Sequence, residues 1–324
     1  MPKMLLAFRP GELSDQKIAE IKKLSPGYEL LHSNDRAEIE ACLEQIEIAA
    51  RFFPPELASR APNLRWFQQW PVGADWLMGQ PAAIEHPFML TNGRGIQSDC
   101  ICEHVFGLLL FHARKFSQTY PAQKLGEWQN QWTPDRMASY FELSGKTIVV
   151  IGLGAIGSRV VTVAKAFKMK VIGVRRRPEL PSPGVDRLVG VTHLDEVLPL
   201  ADFVVLSLPL THQTLGLIGE KQLGLMKPAA ILVNISRGPI IQEDKLIQAL
   251  QEGWIAGAGL DTFETEPLPP ESPLWSLDNV MLTPHSAGVT PEHYERGLAI
   301  FMDNLKCYME GQPLTNVVDK AAGY

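Results

Sequence analysis

Arg237, Asp261, Glu266 and His285 are of kinds that bind anions and move protons, and each follows an apolar run of strand type. Asn234-Ile235-Ser236-Arg237-Gly238 closes the run 230–234. Gly259-Leu260-Asp261-Thr262-Phe263-Glu264-Thr265-Glu266-Pro267 closes 255–260, and Leu282-Thr283-Pro284-His285-Ser286-Ala287-Gly288 closes 280–282. Ligands of an open α/β sheet bind beyond the carboxyl ends of its strands, so these side chains can converge on one cleft. An imidazole exchanges a proton near neutrality, and a guanidinium fork matches a carboxylate plane. Taken singly, each residue also has an ordinary alternative: a structural histidine, a surface ion pair for Arg237, a solvated loop for Glu266.

A second constellation lies upstream. Ile148-Val149-Val150-Ile151 runs straight into Gly152-Leu153-Gly154-Ala155-Ile156-Gly157. The β-branched run suits a buried parallel strand, and Ile156, Val160, Val163, Ala164 and Phe167 follow at helical spacing. In that setting GxGxxG is a dinucleotide fingerprint. Its first glycine turns the chain sharply, its second admits a pyrophosphate to the backbone, and its third lets the helix pack closely on the sheet. The helix N-terminus offers unpaired N–H groups to the phosphates. The next strand, Val171–Val174, ends in Arg175-Arg176-Arg177, and the first acid is Glu179. A carboxylate for the ribose hydroxyls of NAD is missing there, while arginines suit a 2′-phosphate. The expected cofactor is NADP(H), with NAD(H) possible if the arginines only solvate a turn. A preference for NADPH points to a reductase.

The elements that must carry these groups alternate in βα fashion. Met4–Phe8, Tyr28–Leu31, Ile46–Ala50, Leu64–Phe67 and Phe88–Thr91 are strand candidates, with helices over Ser14–Leu24 and Asp35–Glu44 between them. A long helix over 98–119, starting at Ser98, is apolar nearly all round, which calls for burial between layers or at a subunit contact. Residues 120–142, with Trp128, Trp132 and Pro134, suit an irregular excursion, either an oligomer arm or a plain loop. Six strands are expected beyond it, at 148–151, 171–174, 203–206, 230–234, 255–260 and 280–282. A last helix begins at Thr290-Pro291, with a capping hydroxyl and proline at the first helical position, and runs to about Met309. The fingerprint stands in mid-chain, so a separate domain precedes it. The two long helices are the expected crossings between domains.

The 324 residues are enough for two cores. A net charge of −6 argues against nucleic acid or an anionic membrane as partner. No apolar stretch has the length of a membrane span, and the run in MPKMLLAFRP is too short for a signal peptide. Cys42, Cys100, Cys102 and Cys307 have no metal-ligand spacing and suit reduced thiols of a cytoplasmic protein. No metal is expected, which counts against a zinc-dependent alcohol dehydrogenase.

The string NISRGPIIQEDKLIQAL…GAGLDTFETEPLPPESPLW…NVMLTPHSAG closely resembles the D-isomer-specific 2-hydroxyacid dehydrogenase family. The likeness extends to the fingerprint, to Val72-Gly73-Ala74-Asp75, to Cys102-Glu103-His104 and to Asn316-Val317-Val318-Asp319. It implies an α/β protein of two doubly wound parallel-sheet domains. A Rossmann nucleotide domain, residues 101–287, would be inserted into a flavodoxin-like substrate domain, residues 1–100 with 288–324.

The same resemblance implies roles. His285 would be the general acid that protonates a carbonyl oxygen as hydride arrives, and Glu266 would orient it. Arg237 would hold the substrate carboxylate and polarise the carbonyl. The N–H groups of Val72 and Gly73 would take the other side of that carboxylate. With Gly152, Gly154, Gly157, Arg175 and Arg176, the cofactor contacts implied are Ala155 and Ile156 under the pyrophosphate, and Ser207, Leu208 and Pro209 beside the adenosine. Ile235 and Ala287 would touch the nicotinamide half, where Asp261 either contacts the amide or caps a loop. His104, His112, His193, His212 and His293 are left structural or solvent-facing. Trp70, Trp76, Met78, Arg94 and Trp275 are candidate wall residues.

The activity implied is reduction of small 2-oxoacids, such as glyoxylate or hydroxypyruvate, to D-2-hydroxyacids by a homodimer. Glu266 stands where formate dehydrogenases of the superfamily carry glutamine, against that activity. The triad by itself does not exclude phosphite oxidation. A nucleotide-sensing corepressor of the same fold is the non-enzymatic alternative, and the lack of an extended polar tail counts against it.

Overall fold

The strands of this chain are short, apolar and mostly without alternation, because helices cover both faces of the sheets they form. The computed structural model describes residues 1–128 and 132–324. The chain divides into two units, residues 1–96 with 290–324 and residues 97–289. The junctions fall at 96/97 and 289/290, beside the expected 100/101 and 287/288.

In the first unit β1 (Lys3–Ala7), β2 (Glu29–His32), β3 (Ile46–Arg51), β4 (Trp66–Gln68) and β5 (Met89–Thr91) form one parallel sheet in the order β2-β1-β3-β4-β5. This is the flavodoxin-like order. Helix α1 (Asp15–Leu24) starts on Ser14, whose Oγ accepts the N–H of Lys17. Helix α2 (Arg36–Ala41) starts on Asp35, which accepts the N–H of Glu38. The helix expected over Asp35–Glu44 stops at Ala41, and a 3-10 turn over Leu43–Gln45 follows. Helix α3 (Pro81–Glu85) precedes β5.

The second unit runs α4 (Ser98–Ala113), α5 (Phe116–Leu125), α6 (Pro134–Ser139), β6 (Thr147–Ile151), α7 (Ala155–Ala166), β7 (Lys170–Val174), β8 (Arg187–Val189), α8 (Leu194–Val197), β9 (Phe203–Leu206), α9 (Glu220–Leu225), β10 (Ile231–Asn234), α10 (Glu243–Gln251), β11 (Gly257–Leu260) and β12 (Val280–Leu282). Its sheet is parallel, in the order β12-β11-β10-β9-β6-β7-β8. It holds seven strands where six were expected. The seventh, β8, is three residues on an edge, Arg-Leu-Val, and offers no apolar run to find. Along β6 the pleat sends Val149 and Ile151 into one apolar cluster and Ile148 and Val150 into the other. Truncating one of these, Ile151→Ala, would cost about 2–5 kcal/mol.

The helix expected over 98–119 is two helices. Lys115 takes φ +56, which a right-handed helix cannot continue, and α5 restarts at Phe116. The stretch 120–142 is not irregular throughout: α5 extends to Leu125 and α6 covers Pro134–Ser139. Gln129–Gln131, inside the expected arm, lie outside the described residues. Helix α4 buries residues on most sides, and the thiol of Cys102 on it is pushed up to about 11 by burial, so it stays protonated.

The last helix, α11 (Glu292–Met309), belongs to the first unit, where Leu298, Phe301 and Leu305 pack with Ile21 of α1 and Met4 and Leu6 of β1. It begins one residue after Pro291 and has no side-chain cap, so the Thr290 hydroxyl does not start it as expected. Among the described residues no helix is long and apolar enough to cross a membrane.

Candidate active site

Strand register aligns the turns of the second unit. Ile151 is level with Val174 and Leu206, Leu206 with Asn234, Asn234 with Leu260, and Leu260 with Leu282. The residues that follow, Arg175, Gly152, Ser207, Ile235, Asp261 and Thr283, therefore line one carboxyl edge. The strand order reverses between β6 and β9, where a doubly wound sheet opens a crevice.

The glycine loop sits at that reversal. Gly152 takes φ +97, and a Cβ there would lie 2.4 Å from the Ser207 carbonyl oxygen. A Cβ at Gly157 would lie 1.9 Å from the Gly152 carbonyl oxygen, so α7 lies against the turn only without a side chain at that position. Gly154 is exposed, caps α7 without a side chain, and has nothing within 4 Å in the Cβ direction. The first-turn N–H groups of α7 lack intrahelical partners and open onto this space, which fits an anionic pyrophosphate.

Hydrogen bonds tie the neighbouring turns. Ser207 Oγ donates to the Gly152 carbonyl at 2.6 Å, and the Leu208 N–H donates to Ser236 Oγ at 3.1 Å. Ala155, Ile156, Ser207, Leu208 and Pro209 are half-buried, while Ile235 and Ala287 are buried in the cluster against which Ile156 packs. Arg175 donates from Nη1 to Ser182 Oγ at 3.2 Å, and Arg176 beside it is exposed.

Glu266 and His285 meet. Glu266 Oε2 lies 2.7 Å from His285 Nδ1, and Oε1 accepts the Phe263 N–H at 3.0 Å. One carboxylate oxygen is fixed by backbone and the other orients the ring. An ionised carboxylate only accepts, so Nδ1 carries a proton and Nε2, on the far side, is left for chemistry. The His285 side chain is 47% exposed, so that edge is reachable.

The backbone of His285 takes φ +52, a region few non-glycine residues enter. Asp261, 2% exposed, holds this segment: Oδ1 accepts from Thr283 Oγ1 at 2.6 Å and the Ser286 N–H at 2.8 Å, and Oδ2 from the Ala287 N–H at 3.0 Å. Both of its oxygens are thus engaged with the loop.

Arg237 is half-buried and donates from Nη1 to the Ser236 carbonyl at 2.8 Å. The Asn234 amide fixes its turn, donating to the Arg237 carbonyl at 3.0 Å and accepting the Ser236 N–H at 3.0 Å. Gly238 then lies on the Phe263 backbone, where a Cβ would come within 1.8 Å of the carbonyl carbon. The turn bearing Arg237 therefore rests against the loop bearing Glu266.

Val72 and Gly73 follow β4 in the first unit. Gln69 Nε2 donates to the carbonyls of Pro71 and Gly73 at 2.9 and 2.7 Å, and Asn92 Nδ2 to that of Val72 at 2.8 Å. A trans peptide sends its N–H opposite to its C=O, so the N–H groups of Val72 and Gly73 turn away from these amides. Gln69 and Asn92 escaped the sequence reading, because a buried amide at a strand end has no motif. Among the wall candidates, Trp70 is buried in the core, Trp76 donates from Nε1 to Gln69 Oε1, and Trp275 is exposed and donates to the Pro269 carbonyl.

The model of the family described as D-isomer specific 2-hydroxyacid dehydrogenase, NAD binding domain, matches residues 106–287. A glyoxylate reductase of Korarchaeum cryptofilum is 37% identical over 268 residues, 82% of this chain and 79% of that protein. One of Thermofilum pendens is 35% identical over 95% of this chain and 89% of its own length. The crystal structure of an NADPH-dependent glyoxylate/hydroxypyruvate reductase from Sinorhizobium meliloti, in complex with NADP and sulfate, superposes with a TM-score of 0.82 at 29% identity, covering 100% of this chain and 99% of that one. The chain belongs to the D-isomer-specific 2-hydroxyacid dehydrogenases and is an NAD(P)-dependent oxidoreductase.

Proposed function

We propose that this protein reduces small 2-oxoacids, glyoxylate or hydroxypyruvate, to D-2-hydroxyacids with a preference for NADPH. The observation that carries the reading is the Glu266–His285 pair at 2.7 Å on the carboxyl edge of a dinucleotide-binding sheet. The reduced nicotinamide supplies a hydride when bound. His285 gives the proton from Nε2 to the carbonyl oxygen, and Glu266, bonded to Nδ1, orients the ring for that transfer. Arg237 takes the carboxylate and draws electron density toward the carbonyl oxygen. In the first unit, the N–H groups of Val72 and Gly73 turn away from the Gln69 and Asn92 amides and suit a carboxylate. Asp261 acts as the anchor of the His285 loop.

Gly152, Gly154 and Gly157 would hold the cofactor, together with Ala155, Ile156, Ser207, Leu208, Pro209, Ile235 and Ala287. Arg175 and Arg176 would take its 2′-phosphate. The relatives named as glyoxylate reductases and the NADPH-dependent structural neighbour support both halves of this reading. The protein works as a homodimer, with Trp128 and Trp132, 98% and 82% exposed, at the contact.

A panel of 2-oxoacids with NADPH and NADH in parallel tests substrate and cofactor together. Turnover of glyoxylate or hydroxypyruvate with NADPH is the expected result. Activity with NADH alone would overturn the arginine argument, and turnover only of phosphite with NADP⁺ would overturn the oxoacid. Sedimentation of a variant with both tryptophans changed to serine tests the dimer.

A further inference from the structure

We propose that His104 and Thr283 are positioning residues for His285, acting through Asp261; this rests on His285 being the general acid. His104 lies on α4 and its Nε2 is 3.0 Å from Thr283 Oγ1 and 3.8 Å from Asp261 Oδ1. The single proton of the threonine hydroxyl goes to Asp261, at 2.6 Å. Oγ1 therefore accepts from His104, and Nε2 of that ring carries the proton.

The three groups form one directed chain, imidazole N–H to hydroxyl, hydroxyl to carboxylate, in which each bond polarises the next. The carboxylate ends on the N–H groups of Ser286 and Ala287, the two residues after His285. The His285 N–H donates to the Thr283 carbonyl at 3.0 Å, so the same threonine holds the residue from its other side. A histidine at φ +52 persists only where its surroundings over-determine it, and this chain supplies that constraint. Its foundation is a helix rather than a loop: α4 packs on β10 and β11, so a side chain from rigid structure sets where the Nε2 edge of His285 points.

The test is single-turnover oxidation of NADPH by glyoxylate in variants of the full chain. His104→Leu and Thr283→Val remove the donor and the hydroxyl with little change of volume. Each is expected to slow the chemical step about tenfold, with the KM for glyoxylate and the Kd for NADPH within about twofold of the parent. His104→Gln and Thr283→Ser restore a donor and a hydroxyl and are expected to recover most of the rate. The pair His104→Leu with Thr283→Val is expected to be no slower than Thr283→Val alone, since both cut one chain.

An unchanged rate in His104→Leu, or His104→Gln as slow as His104→Leu, overturns the proposal. So does a loss that appears in the Kd for NADPH rather than in the rate. If His104→Leu does not fold, Thr283→Val against Thr283→Ser decides alone. His285→Ala separates the two readings: a change under fivefold there sinks the acid, whereas a large loss beside a normal His104→Leu sinks only the relay.

Discussion

Nineteen residues apart in the chain, Glu266 and His285 meet at 2.7 Å beyond two adjacent parallel strands, β11 and β12. The contact depends on Glu266 being held by the Phe263 N–H and on His285 standing in a left-handed turn. His285→Ala is expected to lower turnover by about 10² to 10⁴, the usual worth of a positioned acid. Glu266→Gln keeps the shape but replaces a carboxylate acceptor of the Nδ1 proton by an amide that can also turn its donor to the ring, and is expected to lower turnover about tenfold to a hundredfold. Steady-state kinetics with glyoxylate and NADPH check both, and a fall of less than fivefold in His285→Ala removes it from the acid role.

Arg237 is asked to do two things, so its replacement has two signatures. Arg237→Ala is expected to raise the KM for the oxoacid and to lower kcat, each by about tenfold or more. Arg237→Lys keeps a charge but loses the planar fork, and is expected to recover part of the KM and little of kcat. A change in KM alone would confine Arg237 to binding.

The arginines after β7 carry the cofactor preference. Arg175→Asp places a carboxylate at the end of the second strand of the fingerprint unit, where ribose hydroxyls are bound in NAD sites. It is expected to lower kcat/KM for NADPH about a hundredfold and to raise that for NADH. Arg176→Ala removes one charge from the exposed side and is expected to lower only the NADPH value, by about tenfold. If the ratio of the two cofactors does not move in either variant, the arginines solvate a turn.

The parts of this fold that announce themselves in sequence are those with a local rule. Apolar runs at 148–151 and 203–206 read as strands because both of their faces are buried, and the helices over 14–24 and 35–44 read from apolar residues recurring on one face. Gly152 reads as a turn and Gly157 as the close approach of the helix, and a Cβ fits at neither position. The rest depends on distance in the chain. β8 is an edge strand with no apolar signature, and Lys115 breaks the expected 98–119 helix by its own backbone conformation, which nothing in its neighbours spells out. His104 sits on a helix at ordinary spacing and gains meaning only from Thr283, 179 residues away. Gln69 acts through the carbonyls it gathers rather than through a motif.

Gly238 is where packing and site geometry meet. A Cβ at this position would fall 1.8 Å from the Phe263 carbonyl carbon and 2.3 Å from the Glu264 nitrogen, both backbone atoms that have no rotamer to yield. Gly238→Ala must therefore push the turn of Arg237 away from the loop of Glu266. Activity is expected to fall about a hundredfold, since displacements near 1 Å in a catalytic array have that effect. Unfolding midpoint and kcat, measured together, separate a shifted site from a lost fold.

His112 ties stability to pH. It is buried on α4, with Nε2 against the Ala258 carbonyl at 3.0 Å. Burial pushes its pKa down to about 4; the bond to that carbonyl opposes the shift and Lys115 adds to it. The unfolded chain takes up a proton here near pH 6.5, whereas the folded protein does not until pH falls to about 4. Above pH 6.5 both states are neutral and nothing is lost. Between 6.5 and 4 stability declines as pH falls, by on the order of 3 kcal/mol in all. His112→Gln keeps a donor for the Ala258 carbonyl and cannot ionise, so its unfolding free energy is expected to vary less with pH across this window, at some cost at neutral pH. Denaturant unfolding at pH 7.5, 6 and 4.5 measures the difference, and an unchanged slope in the variant would mean that the acid sensitivity comes from another group.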